Sequence, residues 1–141
     1  MFETVVVGAD GSPTAGEAFR YAMDLVKMSG GTLHIVLAYR RAATSTEGLP
    51  DEFIDGIDSA SRAATILDDL ASRAKAFGIK AVTHSHKEEP EAAILEVAQK
   101  EQADLIVVGN KGMKGVRRVL GSVPNAVAHR APCSVLIVQT T

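Results

Sequence analysis

The sequence predicts an α/β fold, an open and doubly wound parallel sheet of five strands with helices on both faces. Short β-branched or apolar runs recur along the chain, and segments with apolar residues at three- and four-residue steps separate them. Nearly continuous apolar strands that alternate with helices indicate a parallel sheet covered on both sides. Because crossovers between parallel strands are right-handed, the order βαβαβαβαβ predicts a doubly wound sheet, which binds ligands beyond the carboxyl ends of its strands.

The first strand is predicted over Thr4–Val7. Ser12 and Pro13 are typical of the N-cap and the first position of a helix, which Gly30-Gly31 is expected to end. A second strand follows over Leu33–Tyr39, where almost every residue is apolar.

Residues 40–50 have no hydrophobic period and are rich in loop-forming residues, so a surface loop is expected there. A long helix then leads to Gly78. Its inward face is predicted from the apolar spacing and consists of Ala60, Ala63, Ala64, Leu67, Ala71, Ala74 and Phe77.

The second half of the chain continues the alternation. The half-polar segment Ile79–Ser85 predicts an edge strand, a helix that begins with proline is expected over residues 90–99, and Leu105–Val108 is the fourth strand. Residues 122–130 are the fourth predicted helix, and Ser134–Gln139 is the last strand.

Size and charge narrow the classes of function. The chain has 141 residues, 46% of them apolar, so residues 1–141 are expected to form one domain. The 15 basic and 17 acidic residues leave a net charge of −2, which predicts no nucleic-acid and no membrane partner. Cys133 is the single cysteine, which excludes an intramolecular disulfide, and no signal-peptide pattern is present. A cytoplasmic protein is therefore expected.

The segment 104–122 joins the fourth strand to the fourth helix and carries a phosphate-binding pattern. Glycines at 109, 112, 115 and 121 let backbone N–H groups approach an anion. Ser122 is expected to cap the helix that follows, and the first N–H groups of that helix favour a phosphate. The same loop carries four cations, of which one is expected to reach a phosphate: Lys111, Lys114, Arg117 and Arg118. The segment predicts nucleotide binding.

The glycine pattern of residues 104–122 differs from two common phosphate-binding motifs. No glycine is followed by lysine and then serine or threonine, as a P-loop requires, and Gly-x-Gly-x-x-Gly is absent. The chain instead has Gly109-x-x-Gly112, eight residues, and Gly121-Ser122. Together with Val7–Ser12 and Ala131–Val138, this pattern resembles the universal stress protein family, and the resemblance covers the whole chain.

The resemblance implies a Rossmann-like sheet in the order 3-2-1-4-5. In the ATP-binding branch of the family, nine residues separate Gly-x-x-Gly from Gly-Ser or Gly-Thr, so the loop of this chain is one residue shorter. The positions that match the nucleotide contacts of the family are Ala9, Asp10, Tyr39, Val108, Gly109, Gly112, Gly121, Ser122 and Val123.

Each implied contact has a chemical reason. Asp10 can accept hydrogen bonds from ribose hydroxyls or help to hold a divalent ion, Ala9 leaves room for the base, and Tyr39 offers an aromatic face to adenine. Two simpler roles stay open, because Asp10 can instead cap the first helix and Tyr39 can instead pack against the loop over residues 40–50.

The resemblance implies a sensor of adenine nucleotide in the stress response that binds ATP with Mg²⁺. Residues 109–122 contain no carboxylate, histidine or glutamine to position a water, so rapid hydrolysis and a catalytic residue are not predicted. Cyclic AMP as the ligand and a nucleotide-free dimeric interaction module are the alternatives. The resemblance also implies a homodimer in which Val135–Val138 pairs with its copy.

No metal site of the protein's own is predicted. The histidines do not lie with cysteines or carboxylates at recognised ligand spacing. His84 and His86 fall on one face of the third strand, where solvated side chains are expected.

Overall fold

The computed structural model describes residues 1–10, 13–39, 50–110 and 120–140. The described elements follow one another along the chain as β1 (Thr4–Ala9), α1 (Pro13–Ser29), β2 (Thr32–Ala38), α2 (Pro50–Phe77), β3 (Lys80–His86), α3 (Pro90–Lys100), β4 (Leu105–Gly109), α4 (Ser122–Arg130) and β5 (Ser134–Val138). The strands form one parallel sheet in the order β3-β2-β1-β4-β5. The predicted fold class and the strand order implied by the resemblance are both confirmed.

Strand β1 lies at the centre of the sheet, between β2 and β4. In its registers Val7 lies opposite Ile35 on one side and opposite Val107 on the other. The chain leaves β1 and β4 on opposite faces of the sheet, toward α1 and α4. The sheet therefore has its topological switch point at the carboxyl ends of these two strands, where doubly wound sheets have a crevice.

Two apolar layers hold the helices to the sheet. Alternate residues of β1 point to opposite faces, so that Val5 and Val7 lie beneath α1 and α2, whereas Val6 lies beneath α3 and α4. The largest side chains of the first layer include Phe19, Leu33 and Ile35. Full burial of each such side chain contributes about 1.5 to 3 kcal/mol to the free energy of folding.

The inward face of α2 differs from the predicted one. From residue 60 onward, where its side chains are described, the buried residues are Ala63, Leu67, Leu70 and Ala74. Ala60 and Ala64 are exposed, and Phe77 is 38% exposed. The true stripe follows steps of four, three and four residues and includes Leu70, which the prediction missed. Alanine is a good helix former on any face, so its spacing indicates burial poorly.

The ends of α1 and α2 agree with the prediction. Gly30 has φ 78° and Gly78 has φ 86°, the left-handed conformation in which glycine ends a helix without a steric penalty. Ser12, expected to cap α1, and most of the expected loop, residues 40–49, lie outside the described residues.

Hydrogen bonds join the chain segments at the amino end of the sheet. The Asp104 carboxylate accepts hydrogen bonds from the N–H groups of Glu3, at 3.0 Å, and Thr4, at 3.1 Å. The N–H group of Thr32 donates to the carbonyl of Glu3 at 2.8 Å, and the Ser29 hydroxyl donates to the carbonyl of Phe2 at 2.8 Å. The starts of β1, β2 and β4 are therefore fixed to one another.

Over the described residues, no helix is both long enough and apolar enough to cross a membrane.

Candidate functional site

An open cleft lies beyond the carboxyl ends of β1 and β4, on the face of the sheet that α3 and α4 cover. It encloses about 610 Å³, including its solvent-filled mouth, and its wall is mainly apolar. The lining residues are Gly8, Ala9, Asp10, Ala15, Val36, Ala38, Pro90, Ile94, Val108, Gly109, Val123 and Pro124. An apolar wall with a few polar groups at its rim is typical of a small-molecule site.

Five of the predicted site residues meet in this cleft although they come from distant parts of the sequence. Ala9 ends β1 and Asp10 follows it, Val108 and Gly109 end β4, and Val123 lies in the first turn of α4. They meet because β1 and β4 are neighbours in parallel register, so both strands end at the same edge of the sheet.

Gly8 also lines the cleft, and the sequence did not mark it as a site residue. A Cβ atom at this position would lie 2.8 Å from Cδ1 of Ile94 on α3. The missing side chain therefore lets α3 approach β1 closely while the cleft stays open. A glycine inside an otherwise apolar strand is the sequence signal for such a close approach.

The start of α4 corrects the prediction that Ser122 caps this helix. The N–H group of Asn125 donates to the carbonyl of Gly121 at 3.1 Å, so Gly121 is the N-cap and Ser122 is already the first helical residue. No side chain caps this end. Ser122 is exposed beside the cleft-lining Val123, and the N–H groups of both precede the first intrahelical hydrogen bond.

Tyr39 is not among the residues that line the cleft. It packs against the apolar layer beneath α1 and α2, and its N–H group donates to the carbonyl of His86 at 2.9 Å. Gly112 and the four loop cations, Lys111, Lys114, Arg117 and Arg118, lie outside the described residues.

Asn110 fixes the start of the glycine-rich segment. Its side chain is buried, with the residue 2% exposed, and its Oδ1 atom accepts hydrogen bonds from the Thr140 N–H at 3.0 Å and the Thr140 hydroxyl at 2.8 Å. Its own N–H donates to the carbonyl of Val138 at 3.1 Å. Val138 and Thr140 thus hold Asn110 in place, at the point where the glycine-rich segment leaves β4. Sequence reasoning missed Asn110, although a polar residue directly after a buried strand is a usable signal.

Histidines from β2 and β3 meet on the same face of the sheet as the cleft. Nδ1 of His34 and Nε2 of His84 lie 2.9 Å apart and share a hydrogen bond. Burial lowers the pKa of His34, against the opposing charge of Glu101, and burial together with the charge of His34 lowers the pKa of His84. Toward the carboxyl end of β3, Nδ1 of His86 lies 3.0 Å from Oε2 of Glu88.

The fold and the cleft define a class: a doubly wound α/β protein with a small-molecule cleft at its topological switch point. Within this class the chain belongs to the universal stress protein family, because the family model described as "Universal stress protein family" matches residues 1–139. The membership expected from the motifs is confirmed.

Named relatives agree with this assignment over almost the whole chain. The universal stress protein YxiE of Bacillus subtilis is 33% identical, and the match covers 99% of this chain and 100% of that protein. The universal stress protein Rv1636 of Mycobacterium tuberculosis is 37% identical, and the match covers 99% of this chain and 98% of the relative.

Solved structures of universal stress proteins are also similar to this chain. A universal stress protein crystallised in complex with cAMP has a TM-score of 0.77 and 36% identity, covering 99% of this chain and 98% of that one. The universal stress protein UspA from Lactobacillus plantarum has a TM-score of 0.83 and covers 97% of each chain. Its 23% identity makes it a comparison of the fold alone.

Proposed function

We propose that this protein binds an adenine nucleotide in the cleft at the carboxyl end of β1 and β4, and acts as a nucleotide-dependent regulatory module in a stress response. The observation that carries the proposal is the convergence of Ala9, Asp10, Val108, Gly109 and Val123 on one cleft. These residues match the nucleotide contacts of the family in the sequence, and the fold brings them together at one edge of the sheet.

The chemistry of the cleft supports a ligand with an apolar base and a polar sugar phosphate. Val36, Ile94 and Val108 offer an apolar wall to a purine ring. Asp10 is exposed at the rim, where a carboxylate can accept hydrogen bonds from ribose hydroxyls or hold a Mg²⁺ ion that accompanies a triphosphate.

The phosphates are assigned to the start of α4. The N–H groups of Ser122 and Val123 precede the first intrahelical hydrogen bond, Pro124 has no N–H group, and the helix dipole is positive here. The Ser122 hydroxyl adds a donor. Each hydrogen bond to a charged phosphate contributes about 1.5 to 3 kcal/mol.

ATP with Mg²⁺ is the ligand that we propose first, because the chain keeps every glycine of the ATP-binding signature: Gly109, Gly112 and Gly121. Cyclic AMP is the second candidate. It is favoured by the similar universal stress protein solved with cAMP and by the spacer of eight residues, which suits one phosphate better than three.

We also propose that the protein is a homodimer that pairs β5 with β5 of a second copy. The strand lies at the edge of the sheet, and its residues Val135, Leu136 and Ile137 are only half-buried. An apolar strand at a free edge is prone to pair with another chain, and a two-fold axis pairs it with itself. Mass measurement by light scattering tests this, with twice the mass of the 14.8 kDa chain as the expected result.

Isothermal titration of nucleotide-stripped protein tests the ligand. ATP, cyclic AMP and GTP are each titrated with and without Mg²⁺. Saturable binding of ATP that is at least tenfold tighter than that of GTP supports the ATP proposal, and a preference for cyclic AMP selects the second candidate. If no nucleotide binds, the proposed site is wrong and the interaction module is the remaining function.

A further inference from the structure

We infer that His34, His84 and Glu101 form a binding site for a divalent transition-metal ion of the Zn²⁺ type, on the β3 side of the sheet and apart from the nucleotide cleft. Ring nitrogens of the two histidines and a carboxylate oxygen of Glu101 lie within 4.8 Å of one another. Two imidazoles and one carboxylate are a common ligand set for Zn²⁺, which leaves the fourth position to water.

Strand register brings the two histidines together. His34 lies opposite Val82 and His84 lies opposite Val36, so both side chains stand on the face that α3 partly covers. Glu101 follows α3 directly, as its C-cap residue, and its N–H group donates to the carbonyl of Val97 at 2.9 Å. The three ligands therefore come from β2, from β3 and from the residue that ends α3.

The geometry of the pair is close to that of a metal site. Nδ1 of His34 and Nε2 of His84 are 2.9 Å apart, and one of the two must be an unprotonated acceptor. Zn–N bonds of about 2.0 to 2.1 Å in a tetrahedral site set the two nitrogens about 3.3 Å apart. Replacing the shared proton with an ion therefore requires the two nitrogens to separate by about 0.4 Å and the rings to turn until both lone pairs face the ion.

The cluster combines a buried ligand with an open side. His34 is 7% exposed, so its ring is held by its surroundings, whereas Val82 on the same face of β3 is 43% exposed. An ion can enter from this edge of the sheet. The positive charge of Lys100 reaches His84 and opposes a cation there, while the charge of Glu101 acts in the opposite direction on both histidines.

A second cluster nearby is the weaker candidate. Ligand atoms of His86, Glu88 and Glu96 also lie within 4.8 Å of one another, but His86 already pairs with Glu88 at 3.0 Å. The side chains of these three residues are 26%, 32% and 58% exposed, so none is held in place by burial as His34 is. This second cluster supplies the control variant, His86→Gln.

Titration of the untagged chain with Zn²⁺ tests the inference, followed by Co²⁺ for its visible absorption spectrum. We expect one Zn²⁺ per chain and a Co²⁺ spectrum of four-coordinate type. His84→Gln and Glu101→Gln should each weaken Zn²⁺ binding at least tenfold, since even the loss of a supporting residue around a metal site costs that much. His86→Gln and the exposed His129→Gln should bind within twofold of the parent, and circular dichroism verifies that every variant is folded.

Three results would overturn the site: no saturable Zn²⁺ binding by the parent chain, binding by His84→Gln and Glu101→Gln within twofold of the parent, or a loss confined to His86→Gln. None of these ligand residues lines the nucleotide cleft, so the outcome is independent of the nucleotide titration.

Discussion

The two ends of the sheet are built for different tasks. At the amino end, the Asp104 carboxylate and the carbonyl of Glu3 join the starts of β1, β2 and β4 through hydrogen bonds, and the carbonyl of Phe2 accepts one from Ser29 at the end of α1. At the carboxyl end, β1 and β4 stop at an open apolar cleft with Gly8 and Gly109 in its wall. With the nucleotide in the proposed cleft, this difference predicts that stability and ligand binding are separated along the strands. Substitutions at the amino end should change the free energy of unfolding, whereas those at the carboxyl end should change nucleotide affinity.

Gly31→Ala is expected to have the largest effect on stability. A Cβ atom at this position would lie 2.5 Å from the carbonyl oxygen of Glu3 and 2.6 Å from that of Phe2. Backbone cannot move away cheaply, so we expect the free energy of unfolding to fall by about 2 to 3 kcal/mol in urea titrations. Gly16→Ala is the matched control, because a Cβ atom there meets nothing within 4 Å and alanine favours the helix. A loss below about 1 kcal/mol in Gly31→Ala would contradict the assigned role of the amino end.

Asp104→Ala, also at the amino end of the sheet, is expected to have the second-largest effect on stability. It removes the acceptor for the N–H groups of Glu3 and Thr4, and we expect a loss of about 1 to 2 kcal/mol in the same urea titrations. Asp104→Asn keeps one acceptor oxygen and should lose about half as much. Nucleotide affinity should stay within twofold in both variants. An affinity that falls together with stability would mean that the two ends are coupled.

Gly8→Ala is the counterpart of Gly31→Ala at the carboxyl end. The new methyl group would meet Cδ1 of Ile94, the far end of a side chain that can rotate, so the loss of stability should stay below about 1 kcal/mol. Gly8 and Ile94 both line the cleft, so the added methyl group narrows it. We expect the variant to bind nucleotide about tenfold more weakly, which corresponds to about 1.4 kcal/mol of binding free energy. Calorimetric titration measures this change. Unchanged affinity in the folded variant would remove the nucleotide from this part of the cleft.

Asp10→Asn should have the smallest effect of the four. Asparagine has nearly the same shape and keeps one acceptor, but it loses the charge that strengthens hydrogen bonds to ribose or holds Mg²⁺. We expect ATP affinity to fall about fivefold, which corresponds to about 1 kcal/mol. Titration with and without Mg²⁺ separates the two roles, since a loss seen only with Mg²⁺ assigns Asp10 to the ion. If affinity is unchanged in both conditions, Asp10 does not contact the ligand.

The fold was largely predictable because local signals determine it. β-branched runs, proline at helix starts and glycine at helix ends located the elements from Thr4 to Val138. Strand order came from the resemblance and not from spacing. The prediction of the inward face of α2 was wrong in part, because alanines such as Ala60 tolerate solvent whereas Leu70 is buried.

The residues of the cleft were predictable where they follow from strand ends and motifs, whereas the separate histidine cluster depends on strand register and was not predictable. Ala9 and Gly109 could be paired because parallel strands end at one edge. The hydrogen bond between His34 and His84 requires the register of β2 against β3, which no sequence motif encodes. Likewise, one hydrogen bond from Asn125 to Gly121 decides that Ser122 lies inside α4, and sequence patterns locate a helix start less finely than that.

A two-dimensional ¹H–¹⁵N correlation spectrum recorded during titration with Mg-ATP shows at which end of the sheet the nucleotide binds. We expect the amide signals of Ala9, Asp10, Gly109 and Ser122 to shift with one common affinity, while those of Glu3, Gly31 and Asp104 at the opposite end of the sheet stay in place. Shifts centred on the amino end, or an unchanged spectrum at millimolar ATP, would contradict the assignment of ligand binding to the carboxyl end.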